Sequence, residues 1–318
     1  MKTAVIGCGR WGTFIAWYLH EIGHEVTLYG RESSAHMRAL MDTRSNGLVT
    51  LHEDIRLTHS LQDALDAQTV CISIGAQSLS ALMAQIAGLG VRGRTFVLCM
   101  KGIEASTGRR LSQIAEEAVG GHNSVAVWLG PGHVQEFTAG VPNCMVIDSR
   151  DEAVKERLIG ALSGGLIRFY YGTDLIGNEV GAAAKNVIGI AAGMLDGMGV
   201  SSLKGALMSR GTREVARLIG AMGGSEISAY GLCHLGDYEA TVFSVYSHNR
   251  RFGELFVRGE TYGELAEGYA TVRALCLLAD RYGVDMPICR AVYAVLYEGA
   301  EPQEQMNLLF TRSLKREF

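Results

Sequence analysis

The sequence predicts a doubly wound α/β domain followed by an all-helical one. Three observations carry that reading. A glycine-rich turn, Gly7-Cys8-Gly9-Arg10-Trp11-Gly12, lies between a short buried strand and a helix. Apolar runs alternate with helical segments as far as Tyr170, the pattern of parallel strands joined by helices. From Gly177 onward no convincing strand appears. The change falls at 172 to 178 and divides the chain into residues 1–175 and 176–318.

Taken in order, the first strand is Thr3 to Ile6 and the following helix runs through Leu19. In the turn between them, Gly7 permits the sharp bend and Gly9 lets a pyrophosphate approach the backbone. Gly12 lets the helix lie close to the strand. The helix start, with Arg10 and Trp11, offers free N–H groups and a partial positive charge to phosphates. Glu25 to Tyr29 is a second strand at the βαβ distance. It ends in Gly30-Arg31-Glu32, where an adenosine ribose would be met. Arg31 comes first and favours the 2′-phosphate of NADP, while Glu32 keeps NAD open. Asp42 to Asp54 reads as a loop and Leu61 to Leu65 as a short helix. Further strands are expected at Thr69–Ile74, 94–100, Ser124–Leu129, Met145–Ile147 and 167–170, with a helix from Ser78. In such a sheet ligands lie at the carboxyl ends of the strands. Lys101 and Gly130-Pro131-Gly132-His133 occupy such ends. Beyond them, helices are expected over 178–195, 204–219, 261–282 and 288–297, with Pro287 in the first turn of the last.

The 318 residues suffice for two domains with sizeable cores. A net charge of −4 implies no nucleic-acid partner. Seven scattered cysteines show no CxxC or Cys/His spacing, and the nine histidines show no paired-ligand pattern, so no metal is expected. Odd, dispersed thiols fit a reducing cytoplasm. No leader is read at the N-terminus, and no apolar run is long enough to span a bilayer.

Reducing a ketone with a nicotinamide requires that the carbonyl be held, the developing alkoxide stabilised and a proton supplied. Lys185 is the first candidate donor. It sits in a helix of small and apolar residues, where an unpaired ammonium is costly to bury and burial lowers its pKa. The alternative is a lysine that snorkels to the surface. Asp237 could orient Lys185, or cap a turn. Lys101 could polarise a substrate carbonyl, or be exposed. Ser247-His248-Asn249-Arg250-Arg251 could hold a phosphate, or be a basic helix start.

Together these residues resemble the NAD(P)-dependent glycerol-3-phosphate dehydrogenase family over nearly the whole chain. The resemblance rests on Gly7 to Thr13, Lys101-Gly102-Ile103-Glu104, Gly130-Pro131, Glu179 to Ile188, Arg210-Gly211, Gly236-Asp237, Asn249 to Gly253, Glu267-Gly268-Tyr269 and Met286-Pro287-Ile288. It implies a Rossmann-like N-terminal domain, an all-helical C-terminal domain and a homodimer. The implied reaction interconverts dihydroxyacetone phosphate and sn-glycerol 3-phosphate and feeds phospholipid synthesis. Lys185 matches the family's proton donor/acceptor. Lys101, Asp237 and Thr241 match groups around the reacting carbon, with Asn186 beside them. Asn249 matches a phosphate contact, and Glu267 a residue near the cofactor.

The chain departs from the family at several places. His248 stands where an arginine is usual, and Gly132 replaces a residue with a hydroxyl. Ile74-Gly75-Ala76-Gln77 replaces Val-Pro-Ser-Gln, and Ser202 an asparagine. Histidine cannot make arginine's two-pronged phosphate contact. These changes keep open a diverged dehydrogenase for another small phosphorylated or phosphonate-like compound. A β-hydroxyacid dehydrogenase would need asparagine at Gly189. A non-catalytic NAD(P)H sensor would have no use for Lys101, Lys185 and Asp237 together.

Overall fold

The computed structural model describes residues 1–314 and 316. The chain divides into two compact units, Met1–Lys101 with Arg109–Glu179, and Gly102–Gly108 with Val180–Phe318.

The first unit is built on eight strands: β1 (Lys2–Ile6), β2 (Glu25–Tyr29), β3 (Arg56–Thr58), β4 (Thr69–Ile72), β5 (Thr95–Leu98), β6 (Ser124–Leu129), β7 (Asn143–Asp148) and β8 (Ile167–Tyr171). Their order in the sheet is β3-β2-β1-β4-β5-β6-β7-β8. All neighbours are parallel except β6 and β7. The chain therefore winds outward from β1 in both directions, and the switch lies between β1 and β4. The seven helices of this part are α1 (Arg10–Glu21), α2 (Ala35–Thr43), α3 (Leu61–Leu65), α4 (Leu79–Gly88), α5 (Leu111–Val119), α6 (Val134–Thr138) and α7 (Glu152–Leu162). Thr69-Val70-Cys71-Ile72 and Thr95-Phe96-Val97-Leu98 are buried at every position, as central parallel strands must be when both faces are covered. Ser34, Ser60 and Asp151 cap α2, α3 and α7 through their side-chain oxygens.

The second unit is helical. Helix α8 (Leu175–Gly197) begins in the first unit and runs on as the buried axis of the second. It is followed by α9 (Lys204–Ala221), α10 (His248–Val257), α11 (Glu267–Tyr282), α12 (Pro287–Tyr297) and α13 (Pro302–Phe310). Glycines let α8 and α10 nearly touch: a Cβ on Gly193 would lie 1.9 Å from the Arg250 carbonyl, and one on Gly253 2.1 Å from that of Ile190. Between α9 and α10 the chain makes a tight turn at Leu235–Asp237 and a π-helical turn at Glu239–Phe243. No strand follows β8 among the described residues, as the sequence predicts.

Two stretches differ from the sequence reading. Asp42 and Thr43 close helix α2 instead of opening a loop, and β3 follows at the sheet edge. Both elements are short, and α2 buries only Met37 and Leu40, too few positions to set a helical period. The helix expected from 261 starts at Glu267, because 260–266 is an irregular segment with Ala266 still extended. Helix α10, α13 and the connecting helices α5, α6 and α7 were not individually separable in the sequence.

Candidate active site

In the first unit, the glycine turn is formed as its spacing demands. Gly7 has φ +111°, and a Cβ there would lie 2.0 Å from the Ser73 carbonyl oxygen. A Cβ on Gly12 would lie 1.9 Å from the Gly7 carbonyl oxygen, so α1 rests directly on the turn. A Cβ on Gly9 would meet nothing within 4 Å. The turn is tight at its two ends and open in the middle. Gly9 offers α1 no side-chain cap, and no acidic residue lies in the first turn. The residues present thus fit a pyrophosphate, whose oxygens would take the place of a cap. Thr13 braces the turn by donating its hydroxyl to the Cys8 carbonyl at 3.1 Å. Arg10 reaches Gln135 at 3.4 Å, and Trp11 stacks on Phe14 with ring centroids 5.0 Å apart.

At the end of β2, Arg31 and Glu32 are both exposed. Arg38, on the unanticipated α2, donates to the Glu32 carbonyl at 3.4 Å and adds a second cation to this corner. Farther along the same sheet edge, Lys101 follows β5 and donates to the Gly130 carbonyl, 2.5 Å away at the end of β6. Gly130 and Gly132 have φ +128° and +147°. A Cβ on Gly132 would lie 2.3 Å from the Phe137 ring. The missing hydroxyl at 132 is therefore tied to a backbone shape that excludes side chains.

In the second unit, the lysine that could have snorkelled is buried. Lys185 Nζ lies 2.9 Å from the Asp237 carboxylate and donates to the Thr241 hydroxyl at 2.7 Å. Thr241 passes its own proton to the Asp237 carbonyl at 2.7 Å. Asp237 and Thr241 are buried with it. Next to Lys185 on α8, Asn186 accepts from the Asn249 amide at 3.0 Å, and Asn249 in turn accepts from the Gly268 N–H at 2.9 Å. Glu267 is half-buried at the first position of α11, beside that contact. Ser247 caps α10 by accepting from the Arg250 N–H at 3.2 Å. The His248 ring hydrogen-bonds the Tyr262 hydroxyl. Of the predicted residues of this unit, Asp237 and Thr241 gather at Lys185 and Asn249 meets Asn186, while Ser247 and His248 bond Arg250 and Tyr262 instead.

Several pairings had no sequence signal. Arg110 and Glu179 form a buried ion pair, and Glu179 also accepts from the Ser112 N–H at 2.8 Å, tying the N-terminal part of α8 to the start of α5. Burial raises the Glu179 carboxyl pKa, and Arg110 and Ser112 oppose the rise. Asp196 accepts from Lys204 and from Arg250, each at 2.7 Å. Burial opposes ionisation of Asp196, but these partners and Ser201 hold its pKa below the usual carboxylate value. Lys204 also donates to the Val242 carbonyl at 3.0 Å, anchoring the turn that carries Thr241. Arg250 is engaged with Asp196 and Glu254. Each of these is a pairing across the sequence, invisible to local pattern. Among the described residues, one His/Asp grouping has ligand atoms within 4.8 Å, namely His20, His52 and Asp54, at the far end of α1 from the glycine turn.

A glycine turn at the carboxyl edge of a doubly wound sheet, joined to a helical unit with a buried lysine, defines the class: a Rossmann-like dinucleotide-binding protein with a helical second domain. The chain belongs to the NAD-dependent glycerol-3-phosphate dehydrogenase family. Residues 2–155 match that family's N-terminus and residues 174–307 its C-terminus. The chain is 38% identical over 331 residues to the glycerol-3-phosphate dehydrogenase [NAD(P)+] of Streptomyces coelicolor, covering 100% of this chain and 98% of the relative. It is 35% identical to the enzyme of that name from Pelodictyon phaeoclathratiforme, covering 100% and 99%. The solved glycerol-3-phosphate dehydrogenase of Coxiella burnetii superposes with a TM-score of 0.90 at 27% identity, over 98% of this chain and 99% of that one.

Proposed function

We propose that this protein is an NAD(P)-dependent oxidoreductase of the CH–OH group that interconverts dihydroxyacetone phosphate and sn-glycerol 3-phosphate. The observation that carries the reading is the buried Lys185–Asp237–Thr241 group, in a chain whose relatives bear that activity in their names. When bound, the dinucleotide supplies or accepts the hydride. Residues 1–175 bind it: Gly7, Gly9, Arg10, Trp11 and Gly12 at the pyrophosphate, Arg31 at a 2′-phosphate, with Lys101 at the reacting end. NADP is favoured slightly over NAD on the strength of Arg31 and Arg38. Glu267 adds a contact to the cofactor from the helical part.

Residues 176–318 carry the proton. Lys185 gives it to the developing alkoxide and takes it back in the reverse direction. Asp237 holds the ammonium in place and offsets its burial. Thr241 directs one of its N–H bonds, since its oxygen accepts from Nζ while its proton is committed to the Asp237 carbonyl. Lys101 fixes the substrate oxygen. Asn186 and Asn249 bind hydroxyl and phosphate oxygens, with Ser247, His248, Gly130 and Gly132 completing the substrate's surroundings.

A second reading keeps the chemistry and changes the substrate. It is favoured by the engagement of Arg250 and by the closed backbone at Gly132, which together leave a weaker phosphate grip than an arginine at 248 would give. The physiological setting proposed here is a cytoplasmic homodimer supplying phospholipid synthesis. The seven free cysteines support a reducing compartment, and no described helix is long and apolar enough to cross a membrane. The test is oxidation of NADPH and NADH by the purified protein with dihydroxyacetone phosphate. Turnover establishes the first reading. Cofactor binding without turnover, followed by activity on another phosphorylated or phosphonate ketone, establishes the second.

A further inference from the structure

His234 is fully buried beside the catalytic group, and the proton-transfer scheme does not use it. Its Nδ1 lies 2.9 Å from the Gly181 carbonyl oxygen on α8. A carbonyl only accepts, so Nδ1 carries the proton and Nε2 is the acceptor. Nε2 lies 2.7 Å from the Tyr238 hydroxyl, which must therefore donate to it. The Tyr238 oxygen lies 3.3 Å from the Thr212 hydroxyl on α9. The two rings also meet edge to face, with centroids 4.9 Å apart. Gly181 makes room for this contact, since a Cβ there would lie 3.0 Å from the His234 Cβ.

The placement gives the chain of bonds its meaning. Gly181 is one helical turn before Lys185 on α8. His234 and Tyr238 flank the turn Leu235–Asp237, and the Asp237 N–H donates to the His234 carbonyl at 3.0 Å. The Tyr238 carbonyl accepts from the Thr241 N–H at 3.0 Å and from the Val242 N–H at 2.7 Å. The turn that presents Asp237 and Thr241 to Lys185 is thus held between α8 and α9 by one imidazole and one phenol.

We propose that His234 is a positioning residue: with Tyr238 it pins the Asp237–Thr241 segment to α8 and so sets the geometry of the Lys185 proton transfer. The proposal rests on the reading of Lys185 as the proton-transfer group. It uses a neutral imidazole, because a proton on Nε2 would reverse the bond, making the Tyr238 oxygen the acceptor and turning its own proton away from the ring. The charged groups around the ring are Lys185 from α8 and Asp237 from the turn. Behind Tyr238 lie Glu214 of α9 and Cys289 of α12. Burial first, and then Lys185, hold the imidazole neutral, while the Gly181 bond and Asp237 oppose them.

The test compares His234→Ala, His234→Asn and Tyr238→Phe in full-length protein. Two readouts are used: NADPH oxidation with dihydroxyacetone phosphate across pH, and amide hydrogen exchange over 235–243. Asparagine restores a donor to the Gly181 carbonyl; phenylalanine keeps the ring and removes the hydroxyl. His234→Ala is expected to lower kcat about ten- to hundredfold, the scale of a small misplacement of catalytic groups. The cofactor KM should stay near its original value, and exchange in 235–243 should quicken. His234→Asn should recover part of kcat, and Tyr238→Phe should move the acid limb of the pH profile. Unchanged kcat and unchanged exchange in a folded His234→Ala protein would overturn the proposal. Should that variant not fold, Tyr238→Phe decides: an unmoved acid limb with unchanged exchange overturns it equally. A parent protein without turnover would remove the proposed activity, and the exchange data would still judge the anchoring by itself.

Discussion

At the scale of single residues, burial with a partner is what supports the roles proposed for the site. Lys185 is the clearest instance, because its sequence context allowed a surface lysine and the structure gives it Asp237 and Thr241. Lys185→Ala should leave dinucleotide affinity nearly intact and reduce turnover by about 10² to 10⁴, the usual worth of a placed acid–base group. Fluorescence titration with NADPH beside steady-state kinetics measures both. Arg31→Ala should raise the KM for NADPH more than that for NADH; equal changes would remove Arg31 from the 2′-phosphate. His248→Arg should lower the KM for a phosphate-bearing substrate, since a guanidinium bonds two phosphate oxygens at once. An unmoved KM would place 248 away from the phosphate. The buried His234 also makes a pH prediction. Burial lowers its pKa from 6.5 to about 4, so the unfolded chain takes up a proton there before the folded one does. Its contribution to stability is full above pH 6.5 and drains away as pH falls from 6.5 towards 4, by about 3 kcal/mol in all. Urea midpoints of the parent should therefore fall over that window relative to those of His234→Asn.

Among elements, the contact of α8 with α10 sets the tightest constraint. Gly193→Ala would drive a methyl group into the Arg250 carbonyl, at a cost of about 1 to 3 kcal/mol for an overpacked helix contact. Because α10 carries Ser247, His248 and Asn249, the same change should weaken substrate binding, which thermal melts and KM together detect. Helix α8 was legible in the sequence from its run of small residues, as was the glycine turn, whose steric demands at Gly7 and Gly12 leave no other residue type. The fully apolar strands β4 and β5 were legible for a related reason: burial on both faces writes itself into every position. Helix α2, strand β3 and the true start of α11 were not. Each buries too little, or begins too irregularly, to impose a period. The Arg110–Glu179 pair and the Asp196–Lys204–Arg250 group were hidden because ion pairs join residues far apart in the chain.

For the molecule as a whole, the two units divide the chemistry. The sheet unit has an uncapped helix start at an open glycine, and the helical unit has a buried ammonium held by a carboxylate. Neither suffices alone for a ketone reduction, which needs both a hydride carrier and a proton. The proposed function calls on both, with Lys185 as the proposed proton-transfer group and His248 and Gly132 as the positions at which substrate grip would differ. The most direct measurement is the rate of NADPH oxidation with dihydroxyacetone phosphate by the parent protein and by Lys185→Ala. The account predicts ready turnover by the parent and loss of at least about a hundredfold in the variant. Equal rates in the two proteins, or no turnover by a parent that binds NADPH, would contradict it.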